Sequence, residues 1–427
     1  MTIHSVAVAV VDLVMFPSLL GLIIIGVGYL ALPVLYLIER LSGSAGDPQS
    51  GALPGNELPN VLVQLPVFNE PNVVTGLLSA AADLDWPKDK LHIQLLDDSS
   101  DRTGAIAEEK IAQLRHLGFR IDHVRRDHRQ GFKAEALAVG LAKSDAPYIA
   151  MLDADFRPPP DWLRNVIPRL MAQPRAGFIQ SRCEFTNADT NLLTRTQSLM
   201  FDAHFVMEQA VRARWGLLFQ FNGTAAVWRR SAIEGAGGWS GDSLCEDLDL
   251  TIRAALGGWH GILAMDPVVR GLVPDRIEHW RVQQRRWGMG FAQIARKLIA
   301  MVWTSHWSWA EKISAAFLIL YQAGLPIAAV ATISVLADLA LQGSDRSLVL
   351  PLLGIVGALA VVVAVGMTLP PYLELRRGSM ARYLRTLVTL PPLILYLAFC
   401  NAQPILAALF GRSDDFHRTP KEEGLHS

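Results

Sequence analysis

The chain has 427 residues, 51% of them apolar, and sets 39 Lys and Arg against 40 Asp and Glu for a formal charge of −1, a balance that argues against a basic nucleic-acid binder. With 19% charged residues, against about 25% in ordinary soluble domains, and a mean hydropathy of +0.26, part of the chain belongs in lipid or in a very large core. Three widely separated cysteines, Cys183, Cys245 and Cys400, make neither a disulfide framework nor a structural zinc site.

Residues 13–38 carry no charge, and about 20 apolar residues at 1.5 Å rise cross a roughly 30 Å hydrocarbon layer. The run predicts a transmembrane helix, longer than the apolar core of a signal peptide and without the basic region that precedes one. From 51 to about 287, short β-rich runs alternate with helical stretches. Runs 61–67, 91–96, 120–124 and 148–152 predict strands of βαβ units on a mostly parallel sheet. A helix is predicted to begin at Lys133, and an amphipathic one at 248–256 ends on Gly257-Gly258. Three more uncharged runs follow, 313–337, 347–373 and 386–411, the first two forming a membrane hairpin that turns at 342–346. Residues 1–12 lack Lys and Arg, whereas Arg376, Arg377, Arg382 and Arg385 crowd one loop. Basic residues stay on the cytoplasmic side, so the N-terminus is predicted outside and the central region and Arg loop inside.

Ligands of parallel sheets bind beyond the carboxyl ends of the strands, and the residues just after these strands are acidic. Asp97-Asp98 ends the second strand and Asp153-Ala-Asp155 the fourth. No G-x-G-x-x-G or G-x-x-x-x-G-K-[ST] comes after the first, which removes the usual dinucleotide and P-loop readings. Asp-x-Asp in an extended chain projects two carboxylates to one side, and such hard oxygen ligands suit Mg²⁺ or Mn²⁺ held jointly with substrate phosphates. One acidic pair alone also reads as a turn or cap; two pairs after two strands of one sheet favour the metal. Lys133 is either a phosphate-binding cation or a solvated one. Asp247, in Cys245-Glu246-Asp247, is either a reactive carboxylate or a helix cap. Gln283-Gln-Arg-Arg286-Trp287 also fits a membrane-surface anchor.

In order, Asp97-Asp98, Asp153-Ala-Asp155, Glu246-Asp247 and Gln283-x-x-Arg286-Trp287 resemble the D, D-x-D, E-D and Q-x-x-R-W series of the family 2 glycosyltransferases. The similarity is to the membrane-embedded processive branch that contains cellulose, hyaluronan and plant mannan synthases. Pro66-Val-Phe-Asn-Glu70, Phe221-Asn-Gly-Thr224 and Gly237-Gly-Trp239 also resemble segments of plant mannan synthase-like and bacterial β-glycan synthase-like proteins. The resemblance implies an α/β fold of the Rossmann-like GT-A kind, flanked by transmembrane and interfacial helices. It implies inverting transfer of a hexose from UDP-glucose or GDP-mannose to a growing β-linked polysaccharide, with its export. The alternative is a non-processive, ceramide-type glycolipid glucosyltransferase, which shares the central motifs.

The resemblance also implies roles. Glu70 and Asp98, with Asp97 nearby, would hold base and ribose, and Lys133 the diphosphate. Asp153 would contact the nucleotide sugar and, with Asp155, the Mg²⁺ or Mn²⁺ ion. Asp247, beside Glu246, would be the general base. Gln283 and Arg286 would close over the diphosphate, and Trp287, Phe221, Asn222 and Gly223 would face the acceptor. Phe416-His-Arg-Thr419-Pro-Lys421 resembles the Phe-x-Val-Thr-x-Lys gating loop of cellulose synthases, with Arg418 in place of Val. A gate that touches cytosolic nucleotide must be cytosolic, so 386–411 is expected to be re-entrant or interfacial, with 402–410 as an amphipathic helix. The expected organisation is an anchor (1–50), a cytosolic catalytic domain (51–290), interfacial and transmembrane helices (291–411) and a gating tail (412–427). The expected setting is a bacterial plasma membrane. The expected partners are a nucleotide sugar, a polysaccharide or lipid-linked acceptor and the bilayer, with no nucleic acid.

Overall fold

The computed structural model of the chain describes residues 3–42, 58–342 and 349–411. Strands β1 (Val61–Val67), β2 (Leu91–Asp97), β3 (Arg120–Arg125), β4 (Tyr148–Met151), β5 (Ala176–Phe185), β6 (Ala226–Arg229) and β7 (His260–Gly271) form one sheet in the order β3-β2-β1-β4-β6-β5-β7. The first four, parallel to their neighbours among themselves, are the strands read from the sequence. Strands covered on both faces are nearly continuous apolar runs, and β1, β2 and β4 are buried almost throughout. The other three escaped that signal. β6 has four residues, and β5 carries Gln180, Ser181 and Arg182 through the interior. β6 runs antiparallel to both β4 and β5, so the sheet is mixed.

Helix α1 (Ile3–Ser42) precedes the sheet, and α2 (Val74–Ala82), α3 (Thr103–His116), α4 (Phe132–Leu141) and α5 (Trp162–Met171) lie between its strands in sequence. Helix α6 (Leu192–Asp202) continues through a π-helical segment, Ala203–Gln209, into α7 (Ala210–Arg214). After α8 (Arg230–Gly235), α9 (Glu246–Leu256) starts two residues before the predicted helix, with Glu246, Asp247 and Asp249 in its first turn, where the helix dipole favours acids.

Helix α10 (Ile277–Thr304) runs unbroken through the boundary expected at 290. It is followed by α11 (Trp309–Leu320), a 3₁₀ turn, α12 (Gly324–Gln342), α13 (Val349–Glu374), α14 (Met380–Leu387) and α15 (Leu390–Leu409). Among the described residues four stretches are long and apolar enough to cross a membrane: Ile3–Ser42, Trp309–Leu341, Val349–Glu374 and Met380–Leu409. Most of the expected hairpin turn at 342–346 lies outside the described residues. The uncharged run 386–411 is interrupted between α14 and α15, and α15 is continuous from there because Pro391-Pro392 occupies its first turn, where a missing N–H costs no hydrogen bond. The amphipathic helix expected at 402–410 is instead the end of α15. α14 is the short helix with Arg382 and Arg385 on one side and Tyr383, buried, on the other.

Candidate active site

The carboxyl ends of β1, β2 and β4, the loop before β6, the first turns of α4 and α9, and α10 enclose a cleft of about 230 Å³. It brings together Glu70, Asp98, Lys133, Asp153, Asp155, Asn222, Gly223, Glu246, Asp247, Gln283, Arg286 and Trp287. Residues over 200 positions apart meet because strand ends converge on one edge of the sheet.

Lys133 sits in the first turn of α4, after a turn in which Gly131 has φ +69°. Its Nζ donates to Asp153 Oδ1 at 2.7 Å and to the Gly223 carbonyl at 2.8 Å, and lies 3.3 Å from Glu246 Oε1. Burial opposes its charge, but the Asp153 and Glu246 carboxylates outweigh burial and hold its pKa above the usual lysine range. Asp247 is different: burial, reinforced by the Glu246 charge, pushes its pKa up to about 7. Its Oδ1 accepts from the Leu248 N–H at 2.7 Å, which leaves Oδ2 on the Gly223 side. Gly223 has φ +79°, and a Cβ there would lie 3.0 Å from Asp247 Oδ2, so conformation and space both call for glycine.

The loop that carries Gly223 is held by polar groups inside the fold. Gln180, in the middle of β5, accepts from the Asn222 N–H at 3.0 Å and donates to the Thr224 carbonyl at 3.0 Å. Thr224 Oγ1 in turn accepts from the Asp153 N–H at 2.9 Å. Asn222 Oδ1 meets His204 Nε2 at 2.8 Å and Gln209 Nε2 at 3.4 Å, both from the π-helical segment. The Asn222 Nδ2 is buried with no partner among the described residues. None of Gln180, His204 or Gln209 belongs to a sequence motif, and their role is evident only from these long-range bonds.

The two aspartates at the end of β2 are separated by the strand's alternation. Asp98 lines the cleft and is gripped by Arg126, whose Nε meets Oδ1 at 2.9 Å and whose Nη2 meets Oδ2. Asp97 lies outside the cleft, 1% exposed, accepting from the Ser99 N–H at 2.8 Å and lying 3.0 Å from His123 Nε2. Phe221 is likewise placed in the core, against Phe178 and Trp228, while its neighbours Asn222 and Gly223 line the cleft. Arg129, which the sequence pattern did not single out, also lines it, with its guanidinium 3.4 Å from the Phe68 ring centre. Trp287 packs edge-on to Phe201 at 6.2 Å, and the buried Gln283 Oε1 has no partner among the described residues. Phe416, Thr419 and Lys421 lie outside the described residues.

Among the described residues no cluster of three or more His, Cys, Asp or Glu forms a metal cage. The Asp153-Ala-Asp155 pair has the donor set of an ion whose remaining ligands are phosphate oxygens and water. Chemically, the cleft offers cations for a diphosphate, an acidic pair for a hard metal and a carboxylate whose raised pKa suits proton removal near neutrality.

Residues 148–370 match the description "Glycosyl transferase family group 2". Glucomannan 4-beta-mannosyltransferase 2 of Arabidopsis thaliana is 42% identical over 251 residues, 58% of this chain and 47% of its own length. Glucomannan 4-beta-mannosyltransferase 1 of Oryza sativa subsp. japonica is 40% identical over 257 residues, 59% of this chain and 49% of its own. The chain thus spans about half the length of the curated relatives it matches. Among solved structures, mannosyltransferase PcManGT from Pyrobaculum calidifontis, in complex with GDP-Man and Mn²⁺, superimposes with a TM-score of 0.58 at 21% identity, covering 90% of this chain and 99% of that one. These likenesses bear out the mannan synthase-like resemblance and the GT-A fold.

Proposed function

Because the chain belongs to glycosyl transferase family group 2, we propose that it transfers mannose from GDP-mannose to the growing end of a β-linked mannan or glucomannan. The observation that carries this reading is its 42% identity to a glucomannan mannosyltransferase over 251 residues. Of the two donors the motifs allow, that similarity favours GDP-mannose over UDP-glucose.

In the proposed mechanism Glu70 and Asp98 bind the nucleoside, and Lys133 and Arg286 bind the diphosphate. Asp153 orients the donor sugar. Asp247 removes the acceptor hydroxyl proton as that oxygen attacks the anomeric carbon on the face opposite the diphosphate, which inverts the configuration. Asn222 and Trp287 hold the acceptor sugar, the side-chain amide of Asn222 supplying a donor. Asp155, with Asp153, would hold Mg²⁺ or Mn²⁺, which supplies charge neutralisation at the leaving diphosphate.

The catalytic domain is read as cytosolic. Arg377, in the Arg-rich loop, bonds to Asp202 and Glu184 of that domain at 2.8 Å, so loop and cleft share one side of the membrane, and basic residues favour the cytosolic one. The tail with Thr419 and Lys421 is proposed to close over bound donor, and the membrane helices to pass the product outward. Helix α15 packs along α10, which carries Arg281, Arg285, Arg296 and Lys297. That neighbour favours an interfacial position for α15 over a full crossing.

The test uses membranes containing the full chain, GDP-[¹⁴C]mannose and Mg²⁺ or Mn²⁺. The expected product is an ethanol-insoluble polymer that endo-β-mannanase degrades and that chelation of the metal abolishes. A product of one sugar that partitions into organic solvent would overturn the polymer reading in favour of a glycolipid synthase.

A further inference from the structure

The π-helical segment Ala203–Gln209 meets the cleft through Asn222. At about 3.6 residues per turn, side chains five apart on an α-helix point roughly 140° away from each other, whereas i→i+5 bonding stacks them. The π turn therefore brings His204 and Gln209 to one side, where His204 Nε2 lies 2.8 Å and Gln209 Nε2 3.4 Å from Asn222 Oδ1. The Gln209 amide cannot be turned over, because its Oε1 accepts from the Gln220 N–H at 3.2 Å and its Nε2 donates to the Gln220 carbonyl at 2.8 Å. A donor on that side makes the facing Asn222 atom the acceptor Oδ1, so the bond from His204 requires a hydrogen on Nε2. The ring is held from its other side as well. His204 Nδ1 lies 3.2 Å from Glu208 Oε2, Glu208 Oε1 accepts from Arg212 Nε at 3.1 Å, and Arg212 Nη1 donates to Ser314 Oγ of α11 at 2.8 Å.

With Oδ1 engaged, Asn222 is left with Nδ2, which is buried and has no partner among the described residues, in a side chain that lines the cleft. An unsatisfied buried donor calls for an acceptor, and a sugar hydroxyl is one. We propose that His204 is a positioning residue for the acceptor sugar: its Nε2–H holds Oδ1 of Asn222, so that Nδ2 donates to an acceptor hydroxyl. The next residue, Gly223, faces Asp247 Oδ2, which puts a sugar held by Asn222 beside the proposed base. The inference rests on the mannan acceptor of the proposed function and adds the residue that orients its contact.

The full-length protein in detergent, saturated with GDP, is titrated with a β-linked mannohexaose by isothermal titration calorimetry, and GDP binding is measured separately. His204→Leu is expected to weaken mannohexaose binding about tenfold, as for one lost hydrogen bond, with the Kd for GDP unchanged. His204→Gln, whose Nε2 reaches the same place, is expected to restore most of the loss. On an Asn222→Ala background His204→Leu is expected to add nothing, because residues of one hydrogen-bond network are not additive. Undiminished mannohexaose binding by His204→Leu, an equal loss of GDP binding, or a full further loss on the Asn222→Ala background overturns the proposal. If His204→Leu does not fold, Asn222→Asp decides: it keeps an oxygen toward His204 and Gln209 and removes only Nδ2, and undiminished binding overturns the proposal. Unaltered protein that binds GDP but no mannohexaose overturns the mannan acceptor instead. The variants are then compared by initial rates of transfer from GDP-mannose or UDP-glucose in membranes, where an unslowed His204→Leu overturns the proposal.

Discussion

Asp247 shows how one carboxylate is set apart from its neighbours. Asp153 is paired with Lys133 at 2.7 Å, and Glu246 lies 3.3 Å from the same cation, whereas Asp247 is buried beside Glu246 with a pKa raised to about 7. A base acts when deprotonated, so transfer is expected to fall as pH drops below about 7. Stability runs the other way. A carboxyl whose folded pKa exceeds its unfolded one stabilises the fold fully below the unfolded value, and that contribution is lost as pH rises through the folded one. Asp247→Asn is therefore expected to lower transfer by about 10²–10⁴-fold while GDP binding persists. The variant should also gain thermal stability over the unaltered protein at pH 8 but not at pH 4. Initial rates, GDP titration and unfolding curves at the two pH values check all three.

At the scale of elements, the approach of α10 to the start of α9 sets the distance between the Gln-x-x-Arg-Trp cluster and the Glu246-Asp247 pair. Gly290 makes that approach possible: a Cβ on it would lie 2.3 Å from Cys245 Sγ and 3.1 Å from the Cys245 backbone nitrogen. Gly290→Ala must push the helices apart. A displacement of about 1 Å at reacting groups costs on the order of 10²-fold in rate, so the variant is expected to lose about that much transfer while its circular dichroism is unchanged. Full activity would show that the helix spacing is not critical. The motif on α10 was legible as residue types at helical spacing. Its contact with α9 was not, since nothing in a glycine marks what it packs against.

Across the whole molecule, the long apolar helices and the sheet-bearing part of the chain are joined by charge as well as by apolar packing. Arg214 of α7 donates to Glu39 of α1 at 2.8 Å, and Arg377 bridges Glu184 of β5 and Asp202 at the end of α6. Removing one partner of a buried ion pair costs about 3–5 kcal/mol because the other is left uncompensated; Asp202 is 4% exposed. Arg377→Leu is accordingly expected to lower the unfolding temperature in detergent and to expose the 375–379 loop to protease. Unchanged proteolysis would show that apolar packing alone docks the two parts.

The amino-acid order alone specified four parallel strands, the acidic pairs at their ends, the helix starts at Lys133 and near Asp247, and four apolar runs. These are local properties: periodicity, composition and strand-end position are written within a few residues of each other. The fold alone placed β6 antiparallel inside the sheet and turned Asp98 into the cleft while Asp97 pairs with His123. It also put Phe221 in the core with Asn222 beside the site, and brought His204 and Gln209 of the π-helical segment against Asn222. Each of these depends on which distant segments share a wall. Such contacts arise from burying all the apolar faces together, and no short stretch of sequence encodes them.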